Sequence, residues 1–346
     1  MSPEQGAGKA WRVLATLLFC GLPLVGFAQP APEAEATATA PELMAEPPEA
    51  GATTALDWLA RIAAAGKQLD YSGTFTYQSG RRIETSRIVH RYLDGEESER
   101  LEVLDGSPRE VVRKGAEVRC VLPAQRTVIV SKSSARASFP ATLTQNYADI
   151  ASNYDVRLGE AGRIAGVEAQ KIVIAPRDNL RYGHVLWADK RRGLLLKSQM
   201  VDADGDAIEQ FAFNEVKFEN GIADDQLAAK TTPQPDWRVV DAGADDVTPT
   251  EDRWRLREPL PGFSLVRKSH QRSGGAMHMV FSDGLAAISI FIEAAEAGAE
   301  ARGGFPGGGA VNAFERIVDG QRITVLGEVP PNAVKQAAET LEAVPK

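Results

Sequence analysis

From Tyr71 onward the chain alternates apolar and polar residues with a period of two: Tyr71, Gly73, Phe75 and Tyr77 are interleaved with Ser72, Thr74, Thr76 and Gln78. A period of two sends successive side chains to opposite faces, so the segment is a strand with one apolar side. Further strands are predicted at 83–93, 100–104, 108–113, 117–122 and 126–131, separated by Asp94-Gly95, Asp105-Gly106 and Lys114-Gly115. Such pairs suit the positive dihedral angles of tight hairpins. After Phe139-Pro140 the spacing changes: Leu143, Tyr147, Ile150 and Tyr154 fit one face of a helix over 141–153. Strands resume at 155–160, 167–175, 182–188, 194–202 and 207–219, with turns at Lys190-Arg191-Arg192-Gly193, Asp204-Gly205 and Asn220-Gly221. Another helix is predicted from Ala55, where Leu56, Leu59, Ile62 and Ala63 share a face and Asp57 lies in the first turn. So many strands with only local helices between them make the fold mainly β, built on a large antiparallel sheet.

Composition divides the chain around this body. Residues 1–28 read as a secretory signal peptide: Lys9 and Arg12 precede an apolar stretch from Val13 to Val25, and Gly26-Phe27-Ala28 is a small-x-small cleavage site. No apolar run reaches the roughly 18 residues of a membrane-spanning helix. Residues 29–54, with five Pro and five Glu, are expected to be a disordered leader. The first body is placed at 55–232, and residues 233–253, with three Pro and six acids, are expected to be a linker. A second body follows at 254–346, with strands at 263–272, 276–282, 285–293, 310–318 and 321–329. Ser273-Gly274-Gly275, Asp283-Gly284 and Asp319-Gly320 are its turns, and Gly303–Gly309 is read as a flexible loop. Pro331, then Val334, Ala337, Ala338 and Leu341, make a closing helix.

The net charge of −8 resides outside the two bodies, which carry 25 bases with 25 acids and 10 with 10. A nucleic-acid binder concentrates cations on one surface to release counterions, so that partner is not expected. No catalytic residue is identified: there is no GxSxG elbow, and Gly303–Gly309 lacks the Lys-Ser/Thr of a phosphate loop. Asp204 and Asp206 lie in a turn, where Asp is favoured for backbone reasons alone. No metal site or cofactor is expected, because no CxxC, HxxxH or HExxH spacing occurs. His270 and His278 lie on adjacent strands of one hairpin, either as a functional pair or as two separately satisfied rings. Cys120, the sole cysteine after signal cleavage, sits in an alternating strand and reads as a buried thiol rather than half of an intermolecular disulfide.

The positive signal is apolar and aromatic surface on one face of the large sheet. Phe75, Tyr77, Phe139, Tyr147, Tyr154, Leu186, Leu194, Leu196, Met200, Phe211 and Phe213 are candidates for its inner side. A curved sheet of this size either encloses an apolar cavity for a hydrophobic ligand or has its concavity plugged by the helices at 55–66 and 141–153. Lys190-Arg191-Arg192 is either a rim for anionic head groups or a solvated hairpin tip. In the second body Ile288, Ile290 and Ile292 alternate; that strand either accepts a partner strand at a sheet edge or lies in the core.

Several strings of residues resemble the MucB/RseB family, the periplasmic negative regulators of an extracytoplasmic stress sigma factor. They include Asp57-Trp58-Leu59, Gly73-Thr74-Phe75-Thr76-Tyr77, Leu104-Asp105-Gly106 with Arg109-Glu110-Val111-Val112-Arg113, and Pro176-Arg177-Asp178 through Arg181-Tyr182-Gly183. Gly193-Leu194-Leu195-Leu196-Lys197-Ser198 follows, then Leu260-Pro261-Gly262-Phe263, Ser282-Asp283-Gly284-Leu285-Ala286, Phe291-Ile292-Glu293 and Val325–Pro330. The resemblance implies an open antiparallel β-barrel with helices in its mouth, followed by a smaller sheet domain with a C-terminal helix. It implies a periplasmic, homo-oligomeric binding protein that holds the periplasmic part of a membrane anti-sigma factor, shields it from proteolysis and releases it on sensing lipid or lipopolysaccharide. The alternative is an acyl-chain or lipoprotein carrier or chaperone, for which the first body alone would suffice.

Overall fold

The computed structural model describes residues 54–132, 147–241, 253–270 and 276–344. The first body opens with α1 (Ala55–Gln68), where Thr54 and Asp57 form a reciprocal cap: each backbone N–H donates to the other's side chain. Then come β1 (Tyr71–Ser79), β2 (Arg82–Leu93), β3 (Glu96–Val103), β4 (Glu110–Lys114), β5 (Glu117–Leu122) and β6 (Thr127–Lys132). The next helix, α2 (Tyr147–Asn153), runs directly into β7 (Tyr154–Leu158). It is followed by β8 (Gly162–Ile164), β9 (Val167–Pro176), β10 (Gly183–Asp189), β11 (Leu195–Val201) and β12 (Ala207–Phe218). A single turn of helix, α3 (Asp224–Leu227), and β13 (Arg238–Asp241) complete it.

These strands form one 13-stranded sheet in the order β13-β6-β5-β4-β3-β2-β1-β12-β11-β10-β9-β7, with β8 attached to β9. The end strands β13 and β7 do not pair with each other, so the sheet is an open barrel. Every pair is antiparallel except β13 with β6, which is parallel. Strand β13 lies inside the segment expected to be linker, a correction to that reading. The chain reaches β6 by crossing the outer face: Arg91 donates to Ile222 O, Arg100 to Gln226 O, and Glu110 accepts from the backbone of Lys230 and Thr231. Val89, Ile222 and Leu227 pack beneath that crossing. Gly73 is required on β1, because a Cβ there would lie 2.9 Å from the Phe213 ring that crosses it.

In the second body, β14 (Trp254–Leu256) pairs with the last strand, β21 (Leu341–Ala343). Its main sheet has β15 (Ser264–His270), β16 (Met277–Ser282), β17 (Ala287–Ala294), β18 (Gly303–Gly308), β19 (Val311–Val318) and β20 (Gln321–Gly327), ordered β15-β16-β17-β20-β19-β18. The glycine-rich stretch expected to be a loop is therefore the edge strand β18: backbone pairing with β19 needs no side chains. Helix α4 (Pro331–Thr340) lays Ala333, Val334, Ala337 and Ala338 on the sheet, and Leu341 begins β21 rather than continuing the helix.

The bodies touch where the β1–β2 hairpin meets the turn after β18. Gly309 abuts Ser79, and Ser79 Oγ donates to Glu209 Oε2 at 3.2 Å. Burial, with the charge of Glu209 as a smaller contribution, pushes the Glu328 carboxyl up to about 8. Glu209 is also raised by burial, against hydrogen bonds from Tyr77 and Ser79. At neutral pH Glu328 therefore keeps its proton, and a second negative charge is absent from the contact.

Two outcomes follow. Leu59, fully enclosed between α1 and the sheet, is expected to cost about 2–5 kcal/mol when replaced by Ala, read from urea unfolding. Unfolded Glu328 ionises near its ordinary 4.5, whereas the folded group holds its proton to about 8. The contribution of protonated Glu328 is thus fully present below pH 4.5 and lost as pH rises toward 8. Glu328→Gln should match the parent near pH 4.5 and exceed it in stability at pH 8, in urea titrations across that interval.

Candidate functional site

Residues opposite each other in a ladder share a face, so the register fixes which side chains line the inner side. Phe75 stands opposite Phe213, and Tyr77 opposite Phe211. Phe211 stands opposite Ser198, Ser198 opposite Leu186, and Leu186 opposite Ile172. Met200 pairs with Glu209 on one side and His184 on the other. The structure thus brings Phe75, Tyr77, Leu186, Met200, Phe211 and Phe213 to one face. Leu196, Leu194 and Tyr154 join its packed clusters. Phe139 and the side chain of Tyr147 lie outside the described residues.

This face carries two adjoining clusters. Over β7, β9 and β10, helices α1 and α2 set Trp58, Leu59, Ile62 and Ile150 against Tyr154, Ile172, Ile174, Leu186 and Ala188. Of the two arrangements open to the sequence, helices plug this part of the concavity. Beside it, Phe75, Phe211 and Phe213 form a row with ring centroids 4.8–6.1 Å apart, backed by Leu194 and Leu196. Tyr77, Phe211 and Met200 are only half-buried. The row is apolar and aromatic, a surface suited to a hydrocarbon chain. His184, on the same face, is pushed down to about 4 by burial, against the charge of Asp283, and is neutral at physiological pH.

Where β7 begins, the inner face meets the second body. The Tyr154 ring is fully buried in the helix-covered cluster, and its Oη donates to Asp283 Oδ2 at 2.9 Å. Arg181, also enclosed, donates its Nε to the same oxygen, one of its NH₂ groups to Pro261 O and another to Asp178. Asp283 Oδ1 accepts from the backbone of Leu285 and Ala286, organising the β16–β17 turn. Leu180 enters the core of the second body, and Leu285 packs on the cluster of the first. Gly262, at φ +72°, lies so close to Asn153 and Arg181 that it has no room for a side chain. This junction is not legible in the sequence, since its partners stand 102 and 129 residues apart; Asp283 reads there as half of an Asp-Gly turn and as part of a family-like string, with nothing to join it to Arg181 or Tyr154.

Other sequence candidates resolve differently. Strand β17 is paired on both sides, by β16 and β20, and Ile288, Ile290 and Ile292 are 0%, 0% and 3% exposed. No partner strand can add there; the edges of this sheet are β15 and β18. His270 stands opposite Met277, one position away from His278, so the two histidines are not a facing pair. His278 stacks on Phe291 and contacts Ser289 Oγ at 3.1 Å. The carbonyls of Lys190 and Arg191 accept from Arg61 of α1, and Arg192 lies 4.1 Å over the Phe218 ring. Cys120 is buried in the cluster of Val111, Val118, Leu122 and Ile129.

One grouping has metal-like composition: His90, Glu97 and Glu99 place their ligand atoms within 4.8 Å of one another. His90 Nδ1 donates to Leu69 O at 2.8 Å, and Nε2 lies 3.1 Å from Glu97 Oε1. Burial opposes the imidazolium, but the Glu97 bond and the nearby carboxylates outweigh it and raise the ring. Arg113 faces Glu99 from β4. The grouping is thus already tied together by the contacts of His90 to Leu69 O and Glu97, with a guanidinium-bearing residue opposite Glu99 in the ladder.

The MucB/RseB N-terminal domain matches residues 54–231, and the MucB/RseB C-terminal domain matches residues 248–342. The sigma factor AlgU regulatory protein MucB of Pseudomonas aeruginosa is 33% identical over 299 residues, covering 84% of this chain and 92% of that protein. The sigma-E factor regulatory protein RseB of Salmonella typhimurium is 25% identical over 283 residues, covering 80% and 87%. The crystal structure of MucB in complex with MucA(peri) superposes with a TM-score of 0.66 at 31% identity, covering 84% of this chain and all of that one. A crystal structure of MucB gives 0.58 at 31% identity, covering 84% of this chain and 98% of that one. Matched across both of its bodies, the chain belongs to the MucB/RseB family.

Proposed function

We propose that this protein is a periplasmic, non-catalytic regulator of an extracytoplasmic stress sigma factor. It binds the periplasmic segment of a membrane-bound anti-sigma factor and shields that segment from proteolysis. It gives the segment up when an acyl chain of a lipid or lipopolysaccharide occupies the inner face of the barrel. The observation that carries the reading is similarity across both bodies to MucB, a protein crystallised with MucA(peri). A carrier would need only the barrel; here a second body with its own core is joined to it through buried polar contacts. The aromatic row on β1 and β12 supports the lipid limb, since such a surface recognises hydrocarbon without reacting with it. The resemblance further implies that the protein works as a homo-oligomer.

Release by a lipid is a linkage between two sites, limited by the lipid's differential affinity for the two states. A fluorescent peptide of the periplasmic part of MucA is expected to bind the secreted protein saturably. Lipopolysaccharide should weaken that binding by roughly five- to 150-fold, the usual span of allosteric coupling. Fluorescence anisotropy checks both limbs. Absence of peptide binding would remove the regulatory reading, and an unchanged affinity with lipopolysaccharide would remove the sensing one.

A further inference from the structure

We infer that Tyr154 is the positioning residue that couples occupancy of the barrel to the placement of the second body. The inference rests on the lipid-responsive reading above and names the contact through which the response passes. Tyr154 belongs to both sides of the junction. Its ring is enclosed with Leu59, Ile150 and Leu186 beneath the helices, and its hydroxyl donates to Asp283 of the second body at 2.9 Å. It follows Asn153, the last residue of α2, without an intervening loop, and Asn153 itself lies against Gly262. Helix α2 therefore cannot leave the sheet while Tyr154 and Asn153 hold their places against the second body.

An acyl chain can enter the helix-covered part of the inner face only by displacing side chains from α1 and α2, because this cluster is packed to exclusion of solvent. Displacement of α2 drags the start of β7 and pulls the phenol from Asp283. Asp283 and Arg181 are both fully enclosed, and the loss of one hydrogen bond to a buried carboxylate weakens a network whose members were satisfied only together. The carboxylate also organises the β16–β17 turn through Leu285 and Ala286, so the disturbance reaches the main sheet of the second body.

The coupling predicts a gain in fatty-acid affinity on loss of the junction, which a merely structural role would not produce. Tyr154→Phe keeps the ring and removes only the hydroxyl, so it weakens the junction while leaving the apolar cluster filled. In the full-length protein, affinity for a fluorescent long-chain fatty acid is expected to rise about ten-fold, the scale of one hydrogen bond to a charged group. The concentration of that fatty acid needed to displace the MucA peptide should fall by the same factor. Asp283→Asn, which keeps an oxygen for the turn amides, should act in the same direction. A packing defect would instead lower affinity for both ligands. Unchanged fatty-acid affinity and unchanged displacement in both variants overturn the inference while leaving the lipid reading intact. Failure of the parent protein to bind the fatty acid removes the lipid reading itself, and the coupling with it.

Discussion

A sheet of thirteen strands has one long apolar face, and the rest of this molecule follows from how that face is covered. Closing the barrel would satisfy the edges and leave the interior to side chains alone. Here the ends stay apart, and α1 and α2 lie over β7, β9 and β10. The cover is made of separate pieces, and the shorter, α2, is continuous with the strand whose Tyr154 touches the second body. Separate pieces can move; a continuous wall cannot.

The polar junction is the second consequence. Arg181 and Asp283 are both removed from water, a placement that is unfavourable unless every remaining donor and acceptor is used. The surroundings provide this: Tyr154, Pro261 O, Asp178 and two amides of the β16–β17 turn complete the set. Such a network is specific rather than strongly cohesive. It fixes one relative position of the bodies and tolerates little deviation from it, whereas the apolar contacts of Leu180 and Leu285 supply attraction without register.

The strands were legible because each is encoded locally. Phe75 and Tyr77 alternate with polar residues, Phe211 and Phe213 stand two apart on either side of the small Ala212, and the structure puts all four on one face. Readings failed where the deciding partner is remote or the side chains are silent. Gly303–Gly308 has no alternation because glycine has no side chain to alternate, yet its backbone pairs with β19. Arg238–Asp241 is four residues long and pairs in parallel with a strand more than a hundred positions earlier. Ile288, Ile290 and Ile292 carry a pattern that suits a core strand as well as an edge; only the presence of both neighbours decides. The junction was invisible for the first of these reasons: neither Arg181 nor Asp283 announces the other.

The parallel pairing of β13 with β6 has a further consequence. It roots the connecting chain at one end of the strand order, while Tyr154 holds the second body at the other end. The bodies are thus secured twice, once covalently and once by contacts that can come undone. Between Asp241 and Arg253 the backbone spans at most about 40 Å when fully drawn out. A second body that lets go of the barrel remains on a short leash, and its return is an intramolecular event whose rate does not depend on how much protein the compartment holds.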